Sequence, residues 1–156
     1  MGKTSLVERF VHSLFSDKYL STVGVKISKK EMDLDGTAVN LVLWDMEGKD
    51  SFTNVNLSYL RGAMGYFVVV DGLRKDTLSM AAALHEAAVK AAGNVPCCFL
   101  LNKADLKDQW TVTDSLLVPF EEQGLSILRT SAKTGEGVEE AFITLTRNML
   151  REQANQ

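Results

Sequence analysis

The sequence predicts a three-layer α/β/α domain, with a mostly parallel sheet, helices on both faces and one antiparallel hairpin at its edge. Three observations predict it. Two short runs, Gly65 to Asp71 and Cys97 to Leu101, are almost wholly apolar and read as strands buried on both faces. They alternate along the chain with stretches whose apolar residues recur at helical spacing. One pair of strand-like segments, Val25 to Asp33 and Val39 to Asp45, flanks Asp35-Gly36, a two-residue hairpin signature.

Each element has a local reason. Gly2-Lys3-Thr4-Ser5 runs into Val7, Phe10, Val11 and Leu14, spaced i, i+3, i+4 and i+7, which predicts a first helix with one apolar face. Tyr19 to Gly24 is expected to be a loop before the hairpin. Leu125 to Leu128 is a shorter strand. Helices are expected at Thr77 to Ala92, Thr113 to Gln123 and Val138 to Arg151. In the last of these, Val138, Ala141, Phe142, Leu145 and Met149 share a face and are expected to be core. There are no repeats or linkers, so residues 1–156 are expected to form one domain.

Composition narrows the function. An apolar content of 46% with 24% charged residues is that of an ordinary soluble protein. A net charge of −3 gives no basic surface for nucleic acid. Lys26, Lys29, Lys30 and Glu31 are expected to line a solvated strand edge. The adjacent Cys97 and Cys98 must point to opposite faces of a strand and read as small buried hydrophobes. A reducing, cytoplasmic setting fits them. His12 and His85 fall outside every motif and are expected to be surface or packing residues. No run approaches the roughly 18 apolar residues of a membrane span. The tail Arg151 to Gln156 carries no cysteine, so no covalent membrane anchor is expected in this chain.

The chemistry-bearing residues fall at strand ends. Asn102-Lys103-Ala104-Asp105 follows the apolar run ending at Leu101, and Ser131-Ala132-Lys133 follows the last strand. A carboxylate at Asp105 would accept from N1–H and the exocyclic amine of guanine, a paired donor edge that adenine lacks. A site built on such bonds discriminates strongly, because the wrong base leaves polar groups unpaired. Gly2-Lys3-Thr4-Ser5 reads as the second half of a phosphate-binding loop opening a helix. Lys3 would reach the β- and γ-phosphates and the Thr4 hydroxyl would ligate magnesium. Asp45-Met46-Glu47-Gly48 ends a strand, with Asp45 placed to hold magnesium through a water and the Gly48 amide to meet the γ-phosphate. The Thr22 hydroxyl would complete the magnesium shell. Asp45, Asn102 and Ser131 then share the carboxyl-terminal rim of the sheet, where α/β sheets bind ligands.

A full phosphate loop reads G-x-x-x-x-G-K-[ST], and this chain opens one residue before the second glycine. The first glycine, most of the cradle and any strand feeding it are not in the sequence. Such a strand is normally central, so the expectation is an amino-terminally truncated domain with two exposed strand edges and a groove between them. A start assigned too late, a deliberate fragment and a protein that lacks the cradle all fit.

With these residues in view, the chain resembles a Ras-superfamily small GTPase of the Rab branch, from Gly2 to about Leu150. Ser21-Thr22-Val23-Gly24-Val25 resembles the first switch of that branch, and Leu43-Trp44-Asp45 precedes the second. Tyr59-Leu60-Arg61-Gly62-Ala63-Met64-Gly65 is close to its Y-R-G-A-M-G pattern. Thr130-Ser131-Ala132-Lys133 with Val138-Glu139-Glu140-Ala141-Phe142 matches its last loop and helix. The resemblance implies a Ras-like P-loop NTPase fold, GTP/GDP and Mg2+ as cofactors, and protein regulators and effectors that read the switch loops. It implies that Phe15 packs against guanine, that the Lys103 stem lies along the base, and that the Ala132 amide meets the guanine oxygen. It places the switches at about Ser16 to Gly24 and Asp45 to Arg61, which the γ-phosphate orders and hydrolysis releases. Trp44, Phe52 and Tyr59 become the contact surface for partners.

Two departures bear on mechanism. Where the family typically reads D-T-A-G-Q-E, this chain reads Asp45-Met46-Glu47-Gly48-Lys49-Asp50. Lys49 replaces the glutamine that orients the attacking water and has no acceptor for a water proton. Glu47 adds a carboxylate beside the γ-phosphate. Around that phosphate, Lys3, Thr22, Gly48 and Lys49 are the candidate catalytic residues, and slow hydrolysis is expected. The competing expectation is a pseudo-GTPase acting as a protein-interaction module.

Overall fold

The computed structural model describes residues 6–7, 9–10, 20–22, 25–46 and 60–154. It contains strands β1 (Leu20–Thr22), β2 (Val25–Leu34), β3 (Thr37–Met46), β4 (Tyr66–Asp71), β5 (Cys97–Asn102) and β6 (Ser126–Arg129). The helices are α1 (Asp76–Ala92), α2 (Asp114–Glu122) and α3 (Val138–Ala154), with a 3-10 helix over Ala104–Gln109. Leu6, Val7, Arg9 and Phe10 are helical at the amino-terminal end. This is the expected α/β architecture.

The antiparallel part is larger than a hairpin. β2 and β3 pair from Leu34↔Thr37 to Val25↔Met46. Asp35 (φ 54) and Gly36 (φ 87) both turn left-handed, the geometry that a two-residue hairpin loop of this twist requires. β1 then adds to β2 through Leu20↔Ile27 to Thr22↔Val25, where a loop was expected. The segment is short and polar, Leu-Ser-Thr, so no apolar alternation marks it as a strand.

The parallel part is β4-β5-β6, with β5 in the middle. Its side chains divide cleanly by face. Val69, Cys98 and Leu100 pack with Leu6, Phe10, Leu41, Val138, Ala141, Phe142 and Leu145. Val68, Val70, Phe99 and Leu101 face the other way, onto Leu78 and Ala81 of α1 and Leu117 of α2. One layer is therefore the amino-terminal helical residues with α3, and the other is α1 with α2. In α3 the buried residues are Val138, Ala141, Phe142, Leu145 and Thr146, so its apolar face is core as its spacing predicted.

β3 and β4 each end their own three-stranded sheet, so among the described residues no strand joins them. Side chains nonetheless cross the interval. Leu41 of β3 and Val69 of β4 belong to one cluster. The Phe10 and Phe142 rings stack at 3.7 Å and 2°, and Phe67 meets Phe142 edge-on at 4.9 Å.

Two expectations are corrected here. The buried face of the first helix is Leu6 and Phe10, with Val7 only half-buried; Val11 and Leu14 lie outside the described residues. Lys30 is not on a solvated edge but buried, while Lys29 and Glu31 are exposed. The register sets Lys30 beside Leu41 on the core face. Its Nζ donates to the Phe10 carbonyl at 3.0 Å and stands 3.2 Å from the centre of the Phe10 ring. Burial lowers the Lys30 pKa, and the charge of Glu139 opposes that shift. A carbonyl and a ring face replace the water this ammonium gives up.

Candidate guanine-base site at the strand ends

β4, β5 and β6 run parallel, so Asp71, Asn102 and the residues after Arg129 come to one rim. Two loops meet there and are stitched together. The Ala104 amide donates to the Thr130 carbonyl at 2.9 Å. The buried Asn102 uses its Oδ1 to accept from the Ala132 amide at 3.2 Å and the Thr130 hydroxyl at 3.4 Å. The Ser131 hydroxyl donates to Asp105 Oδ1 at 2.7 Å and accepts from the Thr134 amide at 3.1 Å. Ser131 is buried while Asp105 is exposed at the rim. An ionised carboxylate has about four acceptor positions. With one oxygen steadied by Ser131, Asp105 can also accept a pair of donors from a ligand.

The sequence between these residues is contorted. Lys103 takes the left-handed conformation, φ 73 and ψ 39, which costs a side-chain-bearing residue roughly 1–2 kcal/mol. Its Nζ reaches Asp71 Oδ2 at 2.9 Å. Asp71 Oδ1 accepts the Leu73 amide at 2.9 Å, and Thr77 accepts the Asp71 amide at 3.2 Å. Burial pushes the Asp71 carboxyl up. The hydrogen bonds from Lys103 and Leu73 and the Lys103 charge outweigh it and hold the group below its ordinary value. Asp71 is therefore a buried anion.

Of the sequence-predicted residues, Asn102, Lys103, Asp105, Ser131 and Ala132 are brought together. Lys133 is adjacent and exposed. Thr22 sits in β1 and Asp45 in β3, paired with Lys26, but their side chains are outside the description. Gly2, Lys3, Thr4, Ser5, Phe15, Glu47, Gly48, Lys49, Phe52 and Tyr59 lie outside the described residues.

A family model described as "Ras family" matches residues 1–151. This chain belongs to the Ras family. It is 35% identical to "Ras-related protein Rab-4" of Dictyostelium discoideum over 153 residues, covering 96% of this chain and 74% of that protein. It is 36% identical to "Ras-related protein Rab-4B" of Homo sapiens and of Rattus norvegicus over 151 residues, covering 96% of this chain and 71% of each. The chain is thus a Rab-like small GTPase of the Ras superfamily.

Three residues of this Rab-like chain act at the rim without having been singled out. Asp71 ends an apolar strand, as Asp45 does, so the same signal marks it. Trp110 donates its Nε1–H to the Lys103 carbonyl at 2.8 Å. Arg9 donates to the Thr134 carbonyl at 3.1 Å and ties the first helix to the last loop. Neither Trp110 nor Arg9 lies in a strand-end motif, and nothing local in the sequence reveals its partner.

Proposed function

We propose that this small GTPase binds guanine nucleotide with magnesium, switches its loops between GTP and GDP, and hydrolyses GTP slowly. The observation that carries the reading is the joined pair of loops in which Asp105 is steadied by Ser131 and Asn102 by Ala132. Asp105 accepts the paired donor edge of guanine, and the Lys103 stem covers the base. The Ala132 amide, which donates to Asn102 Oδ1 at 3.2 Å, turns to the base oxygen when guanine enters. Phe15 closes the other side. Gly2, Lys3, Thr4 and Ser5 bind phosphate, and Lys133 belongs to the base loop. Thr4, Thr22 and Asp45 hold magnesium, whose charge offsets that of the phosphates. Gly48 donates to the γ-phosphate, and regulators and effectors read the loops around it. The setting is cytoplasmic, and residues 1–156 act as one G domain.

Lys49 and Glu47 make hydrolysis slow. A lysine gives the attacking water no acceptor, and a carboxylate beside the γ-phosphate repels it. Single-turnover hydrolysis below roughly 10⁻⁴ s⁻¹, the scale of an unassisted small GTPase, is expected. Lys49→Gln together with Glu47→Ala raises it. An unaltered rate in that double variant removes these residues as the cause.

The primary test is bound nucleotide. Protein purified without added nucleotide is denatured and its supernatant separated by ion exchange. Stoichiometric GDP or GTP is expected. Empty protein that also fails to take up GDP with magnesium would replace the switch with an interaction module.

A further inference from the structure

Lys103 is held at both ends, by its ammonium and by its backbone carbonyl. Its ammonium is 2.9 Å from a carboxylate whose side chain is 2% exposed, whereas the Lys103 side chain itself is 39% exposed. Its carbonyl accepts two donors, the Leu106 amide at 2.9 Å and the Trp110 indole at 2.8 Å. Between these grips the backbone is left-handed. A left-handed non-glycine residue persists only where its surroundings over-determine it.

Trp110 is itself fixed. A Cβ built at Gly72 would stand 2.2–2.5 Å from three atoms of the Trp110 indole, so only glycine there admits the ring. The Gly72 carbonyl accepts the Thr111 and Val112 amides at 3.0 and 3.2 Å. The end of β4 thus supplies both restraints: Asp71 for the side chain, and Gly72, through Trp110, for the backbone.

We infer that Asp71 and Trp110 are positioning residues for Lys103, setting its stem in place for the guanine base before nucleotide arrives. This rests on the reading of Asn102 to Asp105 as the base-binding loop. A lysine tethered in advance loses less freedom on binding than a mobile one, so the gain falls on nucleotide retention. The anion does not touch the base; it acts through Lys103.

The test is a double-mutant cycle on the release of a fluorescent GDP, chased with unlabelled GDP in magnesium. Asp71→Asn and Lys103→Met each remove one partner of the pair, and the methionine keeps an unbranched apolar stem. Each single variant is expected to release GDP about tenfold faster than wild type, the factor that corresponds to ~1.4 kcal/mol. The double variant is expected to match the singles. A product of about a hundredfold would mean that Asp71 acts independently of Lys103, and would overturn the inference. Trp110→Phe keeps an aromatic side chain near Gly72 while removing the N–H and part of the indole; about threefold faster release is expected, taken as half of that tenfold on a logarithmic scale. If Asp71→Asn does not fold, Trp110→Phe decides: release at the wild-type rate overturns the inference. Wild-type protein that binds no GDP defeats the base-loop reading and this inference with it. Wild-type binding with an additive cycle defeats this inference alone.

Discussion

The two ends of the parallel sheet bury polar groups in opposite ways. At the carboxyl-terminal rim, Asp71 keeps its charge because Lys103 and the Leu73 amide oppose the cost of burial. At the amino-terminal end, the Tyr66 hydroxyl meets His85 Nδ1 at 2.9 Å and Cys97 Sγ approaches the same nitrogen at 3.9 Å. There burial wins. It pushes the Tyr66 phenol up, with the neighbouring Cys97 adding to the shift, and raises the Cys97 thiol despite a hydrogen bond from Tyr66. It lowers the His85 imidazole. All three are neutral near pH 7. One end maintains a fixed buried charge beside candidate ligand groups; the other is a neutral packing cluster, with His85 set edge-on against Phe99 at 5.5 Å. In this sheet the ion is preserved beside the candidate ligand groups, and ionisation is suppressed in the half-buried packing cluster.

The largest expected effect tests the scaffold that both ends share. Phe142 contacts Phe10 and Phe67 in the cluster that spans β3 and β4. Phe142→Ala is expected to cost about 3–5 kcal/mol, the loss from emptying an aromatic site in a core. Denaturant unfolding measures it. A loss below about 1 kcal/mol would mean that the two sheets do not rely on this packing.

Next comes the rim itself. Asp105→Asn replaces a double acceptor with a group that also donates. GDP affinity is expected to fall by about 10²-fold or more, and xanthosine diphosphate to become the better ligand, since hydrogen-bonding sites discriminate by up to roughly 10⁵. Competition binding reads both numbers. Equal GDP affinity in the variant would take Asp105 out of the site and erase the functional half of the comparison.

Much of this was legible from residues alone. β4 and β5 are unbroken apolar runs, and their ends delivered Asn102 and the neighbouring Asp105 to the rim as expected. The hairpin turn was legible because Asp-Gly tolerates two left-handed residues in succession. Other features depend on pairing across the chain. β1 is a strand because β2 offers it an edge, not because Leu-Ser-Thr prefers one. Lys30 is buried because register sets it beside Leu41 and a helix supplies a carbonyl, which no window around residue 30 contains. The Trp110 contact likewise needs Gly72, 38 positions earlier. Local pattern reveals the ends of strands; the residues that brace those ends come from elsewhere.

The pH dependence of stability separates the two ends by window. The folded Asp71 carboxyl lies below its ordinary 3.8, so below about pH 4 the unfolded chain binds more protons than the folded one. The contribution of Asp71 is complete above that pH and is lost as pH falls through the folded value. Acid unfolding between pH 5 and about 2 is therefore expected to be shallower in Asp71→Asn than in wild type. Parallel acid limbs would mean that the carboxyl titrates alike in the folded and unfolded chain, and a steeper limb in the variant would mean that it is protonated in the native state; either outcome removes the buried anion.

The smallest effect belongs to the other end, and it titrates higher. His85 is held below its ordinary 6.5, so the unfolded chain again binds more protons, now just below pH 6.5. Its contribution is complete above that value and is lost as pH falls through the folded pKa. Replacing His85 with leucine is expected to flatten stability between about pH 7 and 5, while Tyr66→Phe keeps the slope. The phenylalanine removes the neutral hydrogen bonds that the Tyr66 hydroxyl makes with His85 and Cys97, and a loss of about 0.5–1.5 kcal/mol per bond is expected at pH 7. Neither change should alter the rate of GDP release, because the cluster sits at the opposite end of β4 and β5 from Asp71 and Asn102. Faster release in the His85→Leu protein would show that the two ends are coupled through the strands, and that the amino-terminal cluster is more than packing.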